Sequence, residues 1–578
     1  MYKTGSVSKK TWVIKKHGNE KEVLHLAEAL GVVRPIANLL VQRGVRTFDA
    51  AKSFFRPSLD DLHDPFLMKD MDKAVKRLQE ALQNNEKILI YGDYDVDGTT
   101  SVALLYSFFK GKHENLDYYI PDRYSEGYGI SYKGIDYAAS KGVTLVIALD
   151  CGIKAVKKIE YALDKGIDFI ICDHHTADVE IPKAIAVLDP KRPDCNYPFK
   201  ELSGCGVGFK LLQAYSMKTG SPVEEMVPFL DLVAVSIASD IVPIIGENRV
   251  LAYYGLIQLN KNPRTGLKAV IGYASLRDKE ITIDDIVFKI GPRINAAGRI
   301  KSGKHSVELL ASEDEAFAEN MGNIINEYNT TRRAIDGNIT QEALMLIAND
   351  QKLLDKKSTV LFNSKWHKGV IGIVASRLIE TYYKPTIVLT ESNGFITGSA
   401  RSVIGFDLYS AIESCGDLLE NFGGHMYAAG LTLKKENLTP FIDRFEKIVT
   451  ESIEPSQLIP QIEIDTEISL ADITPKFYRI LKQFEPFGPG NMSPVFITEN
   501  VSDDGTGRKV GANGEHLKLN LIQEDNPFNV MPAIGFGIGS KLKSIRTGYA
   551  FDVCYSIDEN NYRGTKTLQL RIRDIKTD

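Results

Sequence analysis

The sequence predicts an α/β protein: a buried parallel sheet, a long helix leading to a smaller second α/β unit, and a C-terminal β-barrel. Three observations predict this. Residues 87–93 (KILIYGD), 143–150 (VTLVIALD) and 168–173 (DFIICD) are short Ile-, Leu- and Val-rich runs, each closing on an aspartate, the pattern of strands buried on both faces. Helix-like stretches at 99–110 and 153–165 alternate with them, so the strands should be parallel and joined by right-handed crossovers. From about Ile459 onward the pattern turns to short strands with Gly, Asn and Asp turns, as in LKLNLI, YAFDVCYSI and TLQLRIRDI, which suits a small barrel.

Along the chain, the first sixty or so residues read as mixed helix and loop, with an apolar stretch at 23–40, and are expected to pack against the sheet. Residues 70–83 place Ala74, Val75, Leu78, Ala81 and Leu82 on one helical face, a core face rather than a partner site. Residues 223–239 read as a buried helix and 291–298 as a loop carrying several polar groups. Over 313–349, Phe317, Met321, Ile324, Ile325 and Tyr328 repeat at helical spacing, and an unbroken helix there would extend about 55 Å as a connector between lobes. Gly337 could interrupt it and leave a pair of helices. The second α/β unit follows, with strands at 359–362, 386–390 and 395–399, a helix at 369–381, and Gly423-Gly424-His425 ahead of a short apolar strand.

Composition bounds the class. At 578 residues the chain is too long for one core and should form three or so domains. No run of about 18 uninterrupted apolar residues occurs, and the N-terminus MYKTGSVSKKTWVIKK has no apolar signal core, so no membrane association and a cytoplasmic location are expected. Six cysteines show no C-x-x-C pairing and read as reduced packing thiols rather than zinc ligands or disulfides. The formal net charge of -5 argues against coating of nucleic acid by bulk electrostatics but leaves room for a local basic channel.

Function is carried by the strand ends. Asp93, Asp95 and Asp97 in YGDYDVDG, Asp150 in IALDCG, Asp173-His174-His175 and later Asp240 should meet beyond the carboxyl ends of the strands, where open parallel sheets bind ligands. Carboxylates gathered in one cleft repel one another unless a cation neutralises them. Any one of these aspartates could be a turn former or helix N-cap. Repetition at three strand ends, with an adjacent His-His pair, favours a metal site. The Asp-x-Asp-x-Asp-Gly run matches the start of an EF-hand loop, but it follows a buried strand and has Leu104 where the twelfth-position glutamate belongs. Carboxylates with imidazole and no thiolate suit Mn²⁺ or Mg²⁺ better than zinc. Two such ions about 4 Å apart would serve phosphoester hydrolysis.

Asp93 to Gly98, Asp150-Cys151-Gly152 and Asp173-His174-His175 together resemble the DHH phosphoesterase superfamily. PDRYSEGYG (121–129), ASDIVP (238–243), GPRINAAGRI (291–300), GSARS (398–402), FGGH (422–425) and EPFGPGN (485–491) resemble the RecJ single-strand DNA exonucleases within it. The resemblance covers nearly the whole chain. It implies an N-terminal cap segment at 1–70, a DHH catalytic domain at 71–312, a connecting helix at 313–350, a DHHA1 substrate-binding domain at 351–455 and an OB-like nucleic-acid-binding domain at 456–578. It further implies metal ligands at Asp93, Asp95, Asp97, Asp150, His174 and Asp240, with Asp150 the bridge. Asp173 would orient its neighbours and His175 approach the phosphate. Tyr91 stands where some relatives have a histidine, which leaves the ligand count of the first metal open.

Arg123, Ser399 and Arg401 resemble the family's pocket for a 5′ phosphate, Asn295 and Arg299 further backbone contacts, and Gly423, Gly424 and His425 a close main-chain approach to substrate. Gly423 and Gly424 would equally serve a helix C-cap or turn. The implied activity is 5′-to-3′ hydrolysis of single-stranded DNA to mononucleotides in repair and recombination, with a single-strand-binding protein and a helicase as possible partners. A DHH hydrolase for oligoribonucleotides, cyclic dinucleotides or pyrophosphate is the nearest competing enzyme. A non-catalytic DNA-binding scaffold is the rival from another class.

Overall fold

The computed structural model describes residues 10–524, 526–546, 548–562 and 565–577. The first nine residues of the segment that lacks an apolar signal core therefore lie outside the described residues. The chain divides into two compact units, one of Thr47–Thr331 with Lys482–Ser493 and the other of the remaining segments. Among the described residues, no single helix is long and apolar enough to cross a membrane.

β1 (Thr11–Ile14) belongs to the second unit. In the first, β2 (Ile88–Gly92), β3 (Leu116–Tyr119), β4 (Leu145–Leu149), β5 (Asp168–Cys172) and β6 (Ala186–Leu188) form an all-parallel sheet in the order β3-β2-β4-β5-β6. Every residue of β2 and β4 is buried, which accounts for the continuous apolar runs in the sequence. The chain steps from β2 outward to β3 and then back across to β4. The carboxyl ends of β2 and β4 thus flank the switch point where such sheets bind ligands. One face of the sheet packs on Met71–Gln83, Val96–Phe109, Gly204–Thr219 and Leu230–Ser239, and the other on Tyr132–Ser140 and Val156–Leu163.

The expected helix at 70–83 is Met71–Gln83, and Ala74, Val75, Leu78 and Ala81 of its predicted face are buried. The helix expected at 99–110 begins earlier, at Val96, because Asp95 caps it by accepting from Gly98 N at 3.0 Å. Asp97 therefore stands in the first helical turn. The buried helix expected over 223–239 is confined to Leu230–Ser239, preceded by 3-10 turns around Pro228. The reading of 291–298 as a loop is corrected: Gly291–Ile300 is a helix continuous with a π-helical turn at Ile286–Ile290. Pro292 sits where the π-helical turn passes into the α-helix.

The connector is one helix, Glu315–Ala348, unbroken at Gly337, and the pair-of-helices alternative falls. In the second unit, β7 (Thr359–Phe362), β8 (Thr386–Ser392), β9 (Phe395–Arg401), β10 (Leu419–His425) and β11 (Ala428–Leu433) form a sheet ordered β10-β11-β9-β8-β7, with the helix Ile371–Tyr382 on one face and Leu438–Ser452 on the other. Gly423 and Gly424 lie in β10, not at a helix C-cap.

β12 (Gln461–Ile464) pairs in parallel with β1, so the expectation that the N-terminal segment packs on the first sheet is corrected for Thr11–Ile14. β13 (Thr466–Glu467), β14 (Phe496–Asp503), β15 (Arg508–Val510), β16 (His516–Gln523), β17 (Asn526–Gly535), β18 (Phe551–Tyr562) and β19 (Thr565–Lys576) follow in the order β13-β14-β18-β19-β17-β16-β15. A further β14–β16 pairing closes five of these strands into the expected barrel. All six cysteines are buried and unpaired, as packing thiols should be.

Candidate metal centre

The acidic strand ends converge. Asp93 leaves β2, Asp150 leaves β4 and Asp173 leaves β5, while Asp240 follows the helix Leu230–Ser239. His174 Nε2 lies 3.2 Å from Asp150 Oδ1, 3.5 Å from Asp240 Oδ2 and 3.7 Å from Asp97 Oδ2. Ligand atoms of Asp97, His174 and Asp240 lie within 4.8 Å of one another, as do those of Asp150, His174 and His175.

The donors fit a divalent cation. Among the described residues, Asp93 Oδ2, Asp150 Oδ2 and both ring nitrogens of His174 are buried without a hydrogen-bond partner, although buried polar atoms are ordinarily paired. Burial, reinforced by neighbouring carboxylates, raises Asp93, Asp95, Asp150 and Asp240 above the ordinary carboxylate range. A cation reverses that repulsion. Burial also lowers His174 to about 4, leaving the neutral imidazole that a metal requires. Asp150 adopts φ 57°, a left-handed conformation uncommon outside glycine and enriched at functional positions.

Asp173 behaves differently from its neighbours. Its Oδ1 accepts from the backbone N–H of His174 at 2.8 Å and of His175 at 3.2 Å, and lies 2.7 Å from His175 Nδ1. Its Oδ2 accepts from Ile153 N at 2.9 Å. Burial alone would raise this carboxyl, but these bonds and the histidines hold it well below the usual range. Burial likewise opposes a charge on His175, yet the hydrogen bond and charge of Asp173 raise the ring to about 9. The two histidines are thus split, one neutral among the carboxylates and one cationic beside them. His175 Nε2 lies 3.2 Å from the Tyr128 hydroxyl.

Tyr91 is held by the loop after β3. Its hydroxyl donates to Gly129 C=O at 3.0 Å and accepts from Ser131 N at 3.1 Å, so it ties down the loop after β3. The same loop places Gly129 N on Asp93 Oδ1 at 3.1 Å and lays the Arg123 guanidinium over the Tyr94 ring at 4.8 Å. Asn295 and Arg299 lie one turn apart on the helix Gly291–Ile300, and Asn295 Oδ1 is buried without a partner among the described residues. That helix meets the acidic loop at Gly298, where a Cβ would stand 2.5 Å from Tyr94 O.

In the second unit, Ser399 and Arg401 lie on the β9 face that meets the helix Ile371–Tyr382. Arg401 Nη1 donates to Ser399 Oγ at 3.1 Å and to Ala400 C=O at 2.8 Å. Among the described residues, no carboxylate pairs with it, and burial lowers its pKa. A half-buried guanidinium without a counter-charge suits an anionic ligand. Both Arg401 and His425 register with Ala428 across β11, and burial, then the charge of Arg401, lowers His425. Gly424 has φ 146°, and a Cβ there would lie 2.2 Å from Ala428 O, so only glycine fits.

Sequence reasoning missed four contributors. Gly204 and Ser236 contact Asp150 and Asp97, Tyr128 reaches His175, and Gly372 presses on Ser399 Oγ, 2.8 Å from its would-be Cβ. The glycine run in LSGCGVG at a helix start was a readable signal for the first. Ser236, set in an apolar helix, gave none.

Comparison with known proteins bears on the same segments. Residues 87–237 match the DHH family N-terminal domain, 355–451 the DHHA1 domain and 464–574 the RecJ OB domain. The single-stranded-DNA-specific exonuclease RecJ of Bacillus subtilis is 37% identical over 569 residues, covering 98% of this chain and 71% of that protein. Its namesake from Escherichia coli is 31% identical over 532 residues, covering 88% and 90%. The crystal structure of RecJ in complex with Mn²⁺ from Thermus thermophilus superposes with a TM-score of 0.84 at 25% identity, covering 98% of this chain and 80% of that one.

Proposed function

The chain belongs to the RecJ family, and we propose that it hydrolyses single-stranded DNA from a 5′ end, in the 5′-to-3′ direction, to 5′-mononucleotides. The observation that carries the reading is the set of unpartnered, buried acceptors around His174 and Asp150. The residues that would hold Mn²⁺ or Mg²⁺ are Asp93, Asp95, Asp97, Asp150, His174 and Asp240. When bound, the ions supply Lewis-acid activation of water and neutralise charge on the phosphodiester.

The remaining residues bind and orient. Asp173 fixes His174 and His175 through three contacts, and is itself held by Ile153 N, so that a protonated His175 presents Nε2–H to the scissile phosphate. Arg123, Asn295 and Arg299 contact the DNA backbone near the metal centre. Ser399, Arg401, Gly423, Gly424 and His425 form the site for the terminal 5′ phosphate, to which Arg401 offers a planar fork of donors. The C-terminal barrel binds the strand by backbone charge and base stacking. The domain boundaries inferred from the sequence, at 70, 312, 350 and 455, follow these roles.

A cytoplasmic role in repair and recombination, with a single-strand-binding protein and a helicase delivering substrate, completes the reading. The test is to compare initial rates with Mn²⁺ on 5′-phosphorylated single-stranded DNA, short RNA and a cyclic dinucleotide. Preference for the DNA supports the proposal. A faster rate on either alternative would transfer the site to a different DHH hydrolase.

A further inference from the structure

Asp97 differs from the other carboxylates in the centre, because almost all of its acceptor capacity is already used. Its Oδ1 accepts from Cys205 N at 2.8 Å and from Ser236 Oγ at 2.7 Å. Its Oδ2 accepts from Gly204 N at 2.7 Å. A carboxylate offers about two lone pairs on each oxygen, so Oδ1 is full and Oδ2 keeps one. That remaining acceptor site belongs to the oxygen 3.7 Å from His174 Nε2.

The Ser236 hydroxyl is the unexpected member. It is fully buried in the apolar helix Leu230–Ser239. A helical serine there ordinarily returns its proton to the carbonyl four residues back. Ser236 instead reaches Asp97 and also lies 2.6 Å from Ser203 Oγ. Its single hydroxyl proton faces two acceptors, Asp97 Oδ1 and Ser203 Oγ, so the hydroxyl ties the carboxylate to the helix start. Ser203 in turn accepts from Gly206 N at 3.1 Å as the N-cap of Gly204–Thr219. A hydrogen-bonded chain of side chains thus links the helix start to Asp97.

We propose that Ser236 is a positioning residue of the metal centre. With the Ser203-Gly204-Cys205 turn, it saturates Asp97 Oδ1 and turns the carboxylate so that Oδ2 alone receives a cation. The same turn fixes the neighbouring ligand, since a Cβ on Gly204 would lie 2.6 Å from Asp150 Cβ. One helix start thus sets both Asp97 and Asp150. The inference rests on the assignment of Asp97 as a ligand.

The experiment measures Mn²⁺ binding by titration calorimetry on the full chain and on Ser236→Ala and Asp97→Asn, with melting curves and turnover as functions of Mn²⁺. Loss of a group that orients a ligand costs about 10- to 100-fold in metal affinity or activity. Ser236→Ala is expected to weaken Mn²⁺ binding by about 10-fold, shifting half-saturation of turnover by the same factor while kcat at saturating Mn²⁺ stays near wild type. A purely structural role would lower the melting temperature and leave the Mn²⁺ affinity unchanged, which overturns the inference. If Asp97→Asn weakens binding and Ser236→Ala does not, the positioning role alone falls. If neither changes it, the ligand assignment falls with it. Should Ser236→Ala fail to fold, Ser203→Ala removes the next hydroxyl of the chain: a weakening of about two-fold or more supports the relay, and none overturns it.

Discussion

Gly204→Ala should damage the metal centre through packing alone. The added Cβ would stand 2.6 Å from Asp150 Cβ and 2.9 Å from its Cα, and backbone cannot swing aside as a flexible side chain can. Restoring an ordinary carbon–carbon separation of about 3.5 Å requires about 0.9 Å of movement by the helix start or by Asp150. If the helix gives way, Gly204 N, now 2.7 Å from Asp97 Oδ2, moves to about 3.6 Å, outside hydrogen-bond range. Overpacking costs about 1–3 kcal/mol and a hydrogen bond to a charged group about 1.5–3 kcal/mol. The better helix propensity of alanine offsets about 1 kcal/mol, for a net destabilisation of about 1.5–5 kcal/mol. Misplacing reacting groups by about 1 Å can cost about 100-fold in rate. Urea denaturation gives the first quantity, and kcat/KM on 5′-phosphorylated single-stranded DNA at saturating Mn²⁺ gives the second. A variant with wild-type midpoint and wild-type turnover would refute the claim that this helix start is wedged between Asp97 and Asp150.

Asp95→Ala and His174→Ala should each abolish hydrolysis while DNA binding, measured by fluorescence anisotropy without turnover, largely survives; residual turnover near wild type in either contradicts the assigned ligands. Arg401→Ala should weaken use of 5′-phosphorylated ends about 10-fold or more and leave 5′-hydroxyl ends little changed, so equal losses on both substrates count against end recognition. Tyr91→Phe removes one donor and one acceptor from buried Gly129 and Ser131 and should destabilise the protein by about 1–3 kcal/mol in urea melts. Its Mn²⁺ affinity should stay within about two-fold of wild type. Abolished binding would instead make Tyr91 a ligand.

Much of the catalytic unit was legible because strands buried on both faces leave uninterrupted apolar runs, and the residue that ends each run lands at the sheet's carboxyl edge. Asp93, Asp150 and Asp173 were placed this way from sequence. The start of the helix after β2 was read three residues late, since Asp95-Val96-Asp97-Gly98 looks like a turn until Asp95 is seen to cap it. Gly291-Pro292 misled in the same manner: residues that usually break structure here lie where a π-helical turn runs into an α-helix. Gly337 proved harmless because a single glycine costs about 1 kcal/mol, too little to divide a helix packed along its length. Ser236 was illegible. Its meaning lies in Asp97, 139 residues away, and no local pattern encodes that contact.

The most direct test of the central claim is a crystal grown with Mn²⁺ and measured at the manganese absorption edge. The account predicts anomalous density within about 2.3 Å of Asp150, His174, Asp240 and Asp97 Oδ2, with Asp97 Oδ1 still held by Ser236 and Cys205. Fully loaded crystals in which manganese binds elsewhere, leaving His174 and Asp150 without an ion between them, would contradict it.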